Sequence, residues 1–138
     1  DDNFKNALCK YPFTYFVIRG NHEERPSICM EKEPNKWDVE EFWYAKVYVE
    51  KRCPKIKYAA DIPSSYYIEK LDCLFLSIPG AYSVDKEYRQ MMGYSWFPQE
   101  QLSFTEKLDG AHYLSNIYDL VLSHTAPLKY EPVELFLI

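Results

Sequence analysis

Residues 19–24, Arg-Gly-Asn-His-Glu-Glu, place a guanidinium, an amide and an imidazole next to one another. Asn21 offers a neutral amide oxygen to a divalent cation. His22 can bind a metal or transfer a proton near neutral pH. Arg19 can donate two parallel hydrogen bonds to a phosphate group. This segment therefore combines a metal ligand, a proton donor and an anion-binding group.

A strand has to hold this segment in place, and the apolar residues over 13–19 predict a buried strand that leads directly into it. Gly20 lets the chain turn there, because glycine tolerates positive φ and close approach. A second apolar strand over 117–122 ends next to His124. The carboxyl ends of parallel strands lie at one edge of a sheet, so we expect His124 to reach the Gly20 turn as a metal ligand.

A third polar group lies on segment 80–98, where the apolar period predicts a helix over 84–92. Asp85 and Arg89 are four residues apart, a spacing at which opposite charges can pair on a helix. A helix cap with an exposed ion pair accounts for these residues as well as a substrate wall does. If they form a basic, aromatic wall for substrate, its residues are Tyr82, Asp85, Tyr88 and Arg89, with Trp96 beside them.

The rest of the chain predicts a mixed α/β arrangement around these groups. We expect a helix over 2–10, a long loop over 25–43 with a short helix from Asp38, and a second helix over 98–108. A loop of that length beside a site is often a substrate lid. His112 lies in loop-like sequence and is expected at the surface. Short β-rich segments occur at 46–49, 56–59, 66–69 and 73–76, with a hairpin turn at 70–72.

The Gly-Asn-His-Glu run at 20–23 resembles the signature of the calcineurin-like metallophosphoesterase superfamily. Segments 78–101 and 123–132 resemble an uncharacterised branch of that superfamily found in bacteria and phages, so the similarity covers nearly the whole chain. Eukaryotic Ser/Thr phosphatases share Arg-Gly-Asn-His-Glu, but their following Tyr-Gly-Phe segment has no counterpart here. The resemblance implies a layered α/β sandwich and does not imply protein-phosphatase specificity.

The resemblance also implies a two-metal mechanism with divalent ions of the Mn, Fe or Zn kind. On matching positions, Asn21 and His124 would bind the second metal, and His22 would protonate the leaving oxygen or stabilise the transition state. Arg19 would hold the phosphate oxygens. Glu23 would stand behind these groups and orient His22 or the turn.

Three motifs of that superfamily are missing: an early Asp-x-His, a Gly-Asp and a late Gly-His-x-His. The chain has only three histidines, so no other alignment supplies the late pair. We therefore expect residues 1–138 to be one partial domain, the central portion of a longer phosphoesterase. This portion would lack the first and last strands of the complete domain. Such a chain would bind at most one metal ion weakly and would have little or no activity alone.

Composition restricts the partners and the compartment. The chain has 138 residues, 47% of them hydrophobic, and a formal charge of −5, which argues against a general nucleic-acid or membrane surface. A phosphodiester substrate remains compatible. Four dispersed cysteines without a C-x-x-C pair favour reduced thiols and a cytoplasmic protein, although their even number also allows disulfides. Two alternatives stay open: a degenerate, non-catalytic module, and a nucleotide- or phosphate-binding protein that stacks a base on Tyr88 and Trp96.

Overall fold

A computed structural model describes residues 2–125, and in this range the protein is a mixed α/β fold with two mixed sheets. The expectations for residues 126–138, which include most of the 123–132 similarity, lie outside the described residues. The helices are α1 (Asp2–Cys9), α2 (Pro26–Lys32), α3 (Lys86–Met91) and α4 (Phe104–Ala111). The strands are β1 (Tyr15–Val17), β2 (Trp37–Phe42), β3 (Ala45–Glu50), β4 (Ile56–Ala59), β5 (Ser64–Ile68), β6 (Cys73–Ile78) and β7 (Leu120–Ser123).

The first sheet has the strand order β1-β4-β3-β2, and the second has the order β5-β6-β7. In the first sheet β1 is parallel to β4, whereas β3 is antiparallel to both of its neighbours. In the second sheet β5 and β6 form an antiparallel hairpin, and β7 is parallel to β6. Strands β1 and β7 therefore lie in different sheets, and the expectation that they share one sheet edge is wrong.

The hydrophobic core lies between the two sheets. Val47 and Val49 of β3 pack with Tyr66 and Phe75 of the second sheet, and the ring of Phe16 contacts both aromatic rings. Such aromatic contacts bury large apolar areas and prefer the edge-to-face arrangement seen here. This packing holds β1, and with it the Gly20 turn, against the second sheet.

Segment 25–43 differs from its prediction. It forms α2, with Pro26 in the first turn, and then β2, which pairs along its whole length with β3. The predicted long loop, the helix from Asp38 and the substrate lid are therefore wrong. The strand forms because β3 supplies hydrogen-bonding partners for its backbone, which a local pattern of mixed polar residues does not reveal.

The predicted helix over 98–108 begins six residues too early. Helix α4 starts after Ser103, whose side chain accepts the N–H of Glu106 while the Glu106 carboxylate accepts the N–H of Ser103. This capping box satisfies two backbone N–H groups at the helix start. Residues 98–102 instead form a turn that carries Glu100 into the interior.

The other element predictions are confirmed, and most of the predicted ends differ from the observed ends by one to three residues. Helices α1 and α3 lie inside the segments 2–10 and 84–92, and all four predicted β-rich segments are strands. The hairpin turn at 70–72 is a short 3-10 helix, Glu69–Leu71, followed by Asp72 in the left-handed conformation. Among residues 2–125, no helix has both the length and the apolar character that crossing a membrane requires.

The cysteines also differ from the prediction, because Cys9 and Cys53 form a disulfide with a Cα–Cα distance of 5.9 Å. Helix α1 packs against the turn between β3 and β4, where Arg52 pairs with Asp2. That packing brings the two thiols together across 44 residues of sequence, which sequence spacing alone cannot show. Reduced thiols remain at Cys29 and Cys73 only.

Candidate functional site

The turns after β1 and β7 converge, although they come from different sheets. The Nε2 atom of His124 lies 3.1 Å from the Oδ1 atom of Asn21, across 103 residues of sequence. The structure thus brings together the two residues that the sequence predicted as metal ligands. The packing of one sheet on the other produces this contact, rather than the shared sheet edge from which it was predicted.

Gly20 is required by close approach. A Cβ atom on Gly20 would lie 2.8 Å from Cε1 of His124, closer than real Cβ contacts come. Its backbone is not in the positive-φ region, so that part of the expectation is wrong. The Glu23 carboxylate accepts the Gly20 N–H at 2.6 Å, which holds the turn closed behind Asn21.

The other end of the Asn21 amide is held by Ser83, which is in turn held by Glu100, and both of these residues are buried. The Nδ2 atom of Asn21 lies 2.9 Å from Oγ of Ser83. Oε2 of Glu100 lies 2.5 Å from the same hydroxyl, and Oε1 accepts the Ser83 N–H at 2.9 Å. Sequence reasoning missed both roles, because Glu100 was assigned to a helix and no local pattern indicates a buried carboxylate. The only sequence signal was the polar turn after Gly80, which contains Ser83.

His22 lies on the open side of the same turn, with 54% of its side chain exposed. Its Nε2 atom is 3.9 Å from Oδ1 of Asp85, whose side chain is also exposed. The expected pairing of Asp85 with Arg89 is wrong. Arg89 instead donates to the carbonyl of Ser95, and no ion pair joins it to Asp85 in the described part of the chain.

Arg19 lies in the interior, only 4% exposed. Its Nη1 atom donates to the carbonyls of Glu100 at 3.0 Å and Gly20 at 3.3 Å, while Nε and Nη2 are buried without a hydrogen-bond partner among residues 2–125. The pKa of Arg19 is lowered, mainly by burial and secondarily by repulsion from the positive charge of Arg25. This position favours a structural role over the predicted contact with phosphate.

The predicted aromatic wall is only partly a free surface. Tyr82 and Tyr88 are 57% and 53% exposed, so both remain accessible to a ligand. The ring of Trp96 is covered by the Lys86 ammonium at 4.5 Å from its centroid. A base therefore could not stack on that covered face of Trp96 without displacing the lysine. His112 is exposed at the end of α4, as expected.

Asn21 and His124 fit two positions of one metal ion. Two ligands at about 2.1 Å from an ion, separated by roughly 90–110°, lie about 3.0–3.4 Å apart, and the observed separation is 3.1 Å. Among residues 2–125, no group of three or more His, Cys, Asp and Glu side chains is placed to hold a metal ion. The described site is therefore an amide oxygen in contact with an imidazole nitrogen, with the His22 imidazole on the same turn as the amide.

No protein-family model matches this chain, and no curated protein or solved structure gives a significant match to it.

Proposed function

We propose that this chain contributes a metal-binding half-site and a proton donor to the metal-dependent hydrolysis of phosphoester bonds, within a layered α/β sandwich of the metallophosphoesterase type. The observation that carries the proposal is the contact between Asn21 and His124, with His22 on the same turn. An amide oxygen and an imidazole together suit ions of the Mn, Fe and Zn kind. The resemblance of 20–23 to the superfamily signature supports the same assignment.

In this proposal each residue of the turn has a separate task. Asn21 and His124 hold one divalent ion, which when bound would polarise the phosphoryl oxygens. The Nε2 atom of His22 donates a proton to the leaving oxygen, so that the product departs as an alcohol. Asp85 lies beside this ring, with its Oδ1 atom 3.9 Å from the same nitrogen.

The substrate approaches from the exposed side of the turn, where Tyr82 and Tyr88 can contact its organic group. We assign Arg19 to the support of the site. Its guanidinium binds two backbone carbonyls and joins the end of β1 to the turn at Glu100.

The Cys9–Cys53 bond also changes the proposed compartment. Disulfides persist mainly in oxidising environments. We therefore propose such a compartment in place of the cytoplasm predicted from dispersed thiols. Alkylation of the protein isolated from its native host, followed by mass spectrometry, tests this: modification of Cys9 and Cys53 without prior reduction would contradict it.

Metal binding to the purified chain provides the first test of the half-site. Calorimetric titration with Mn²⁺ and with Zn²⁺ should give a dissociation constant that rises at least about tenfold in H124A and N21A. The matched control is H112A, because His112 is an exposed histidine outside the site. Equal affinities in H124A and H112A would contradict the proposal.

Hydrolysis of bis-p-nitrophenyl phosphate with Mn²⁺ tests the reaction. A divalent ion takes about four or more ligands, so we expect little or no turnover from the two-ligand site alone. Any turnover of an alkyl ester such as β-glycerophosphate should be lost in H22A and kept in H112A, because an alkoxide needs a proton to leave whereas p-nitrophenolate does not. Rapid turnover of the alkyl ester that survives H22A would contradict the assignment of the proton donor.

The reading frame that surrounds the chain separates a hydrolase from a non-catalytic module. Upstream codons for Asp-x-His and Gly-Asp would supply the carboxylates and imidazole that a second ion needs. A start codon directly before Asp1 would instead favour the binding module.

A further inference from the structure

We propose that Ser83 and Glu100 are positioning residues that determine which end of the Asn21 amide faces the metal. This inference rests on the proposed function for the identity of the ligand, but its structural part concerns hydrogen bonds of the chain itself. Glu100, Ser83, Asn21 and His124 form one continuous row of polar contacts. We call this row the amide relay.

The direction of each hydrogen bond in the amide relay follows from the number of hydrogens available. A carboxylate only accepts hydrogen bonds, whereas a serine hydroxyl has one hydrogen to donate. Glu100 accepts that hydrogen from Ser83 at Oε2, at 2.5 Å. The Ser83 oxygen is then left as an acceptor only, so Asn21 must turn its NH₂ group toward it, at 2.9 Å.

With its NH₂ group held by Ser83, the amide presents Oδ1 toward His124. An inverted amide would place two N–H groups where a cation binds, and would set an oxygen against the lone pairs of Ser83. The acidic residue at the far end of the relay therefore makes Asn21 an oxygen donor to the metal. Asn21 alone does not determine this orientation, because the two ends of its side-chain amide have the same shape.

Burial limits the hydrogen-bonding partners that could replace Ser83 and Glu100 in the amide relay. Ser83 is 0% exposed and Glu100 is 3% exposed, so water has little access to replace either partner. Hydrogen bonds are stronger in such an environment of low dielectric constant. The backbone carbonyl of Glu100 is itself held by Nη1 of Arg19 at 3.0 Å and by the N–H of Ala81 at 3.2 Å. Arg19 thus acts on the site through Glu100.

The substitution E100Q tests the inference with almost no change in shape. The new side-chain amide can donate to the Ser83 hydroxyl, whose hydrogen is then free for Oδ1 of an inverted Asn21. We expect E100Q and S83A to weaken Zn²⁺ binding by about tenfold. The matched control is S77A, because Ser77 is also 0% exposed and its Oγ has no hydrogen-bond partner in the described part of the chain.

A second variant separates positioning from general destabilisation. In N21D the metal meets a carboxylate oxygen whichever way the side chain turns, so adding E100Q should change Zn²⁺ affinity by less than about twofold. In the metal-free chain, E100Q and S83A should shift the side-chain amide resonances of Asn21 in ¹⁵N NMR spectra, while S77A should not.

Two results would overturn the relay: unchanged Zn²⁺ affinity together with unchanged Asn21 amide resonances in E100Q and S83A, or an equal loss of affinity with and without N21D. If the unaltered chain fails to bind Zn²⁺ or Mn²⁺, the proposed function fails. The amide resonances of the metal-free chain then still decide whether Ser83 and Glu100 orient Asn21.

Discussion

Gly80 is the glycine whose replacement should damage this site most, and Gly93 provides its control. Both have positive φ, +77° and +71° respectively. A Cβ on Gly80 would lie 2.3 Å from the carbonyl oxygen of Glu100 and 2.5 Å from Nη2 of Arg19, whereas a Cβ on Gly93 would meet no atom within 4 Å. G80A and G93A therefore share a backbone cost and differ in steric overlap.

The expected magnitudes follow from these distances. Placing alanine in the left-handed region costs about 1–2 kcal/mol in both variants. In G80A the carbonyl of Glu100 must retreat by about 1 Å to reach ordinary contact at 3.4 Å, which disrupts the hydrogen bonds that it accepts from Arg19 and Ala81. Each lost bond to a buried donor costs about 1–3 kcal/mol. We therefore expect G80A to lose about 3–8 kcal/mol and G93A about 1–2 kcal/mol.

Urea unfolding followed by tryptophan fluorescence measures both free energies of unfolding. Because the same movement displaces Glu100 from Ser83, G80A should also weaken Zn²⁺ binding, while G93A should leave it unchanged. Equal losses of stability in the two variants would show that the Arg19–Glu100 contact does not hold this turn, and the reasoning from steric overlap would then be refuted.

Two further predictions concern stability away from the site. The disulfide between Cys9 and Cys53 closes a loop of 44 residues. The double variant C9A/C53A should therefore lose about 4 kcal/mol of unfolding free energy, measured in urea. Dithiothreitol should destabilise the unaltered chain but not this variant. A hydrogen bond from Arg25 lowers the pKa of Glu106 from 4.5 to about 2, so the stabilisation is present above pH 4.5 and is lost as the pH falls toward 2. E106Q should remove that acid sensitivity, which is worth about 1 kcal/mol for a partly exposed pair. If the melting temperatures of E106Q and of the unaltered chain depend identically on pH from 6 to 2.5, this prediction is contradicted.

Several elements could be predicted from the sequence because their signals are local. The strand over 56–59 matches β4 at both ends, since its apolar and β-branched pattern lies within the segment. Strand β2 could not be predicted in the same way, because its backbone is stabilised by pairing with β3. The start of α4 was misplaced because Pro98 can begin a helix, whereas the capping box at Ser103 is what begins this one.

The residue types at the ends of two apolar strands can be read directly from the sequence: Asn21 and His22 follow one strand, and His124 follows the other. Folding brings them together across the space between two sheets, buries Arg19, and lets Glu100 reach the Asn21 amide through Ser83. The difference arises because side-chain chemistry is encoded at each position. Distance, burial and the direction of a hydrogen bond depend on elements far apart in the chain that pack together only in the folded state.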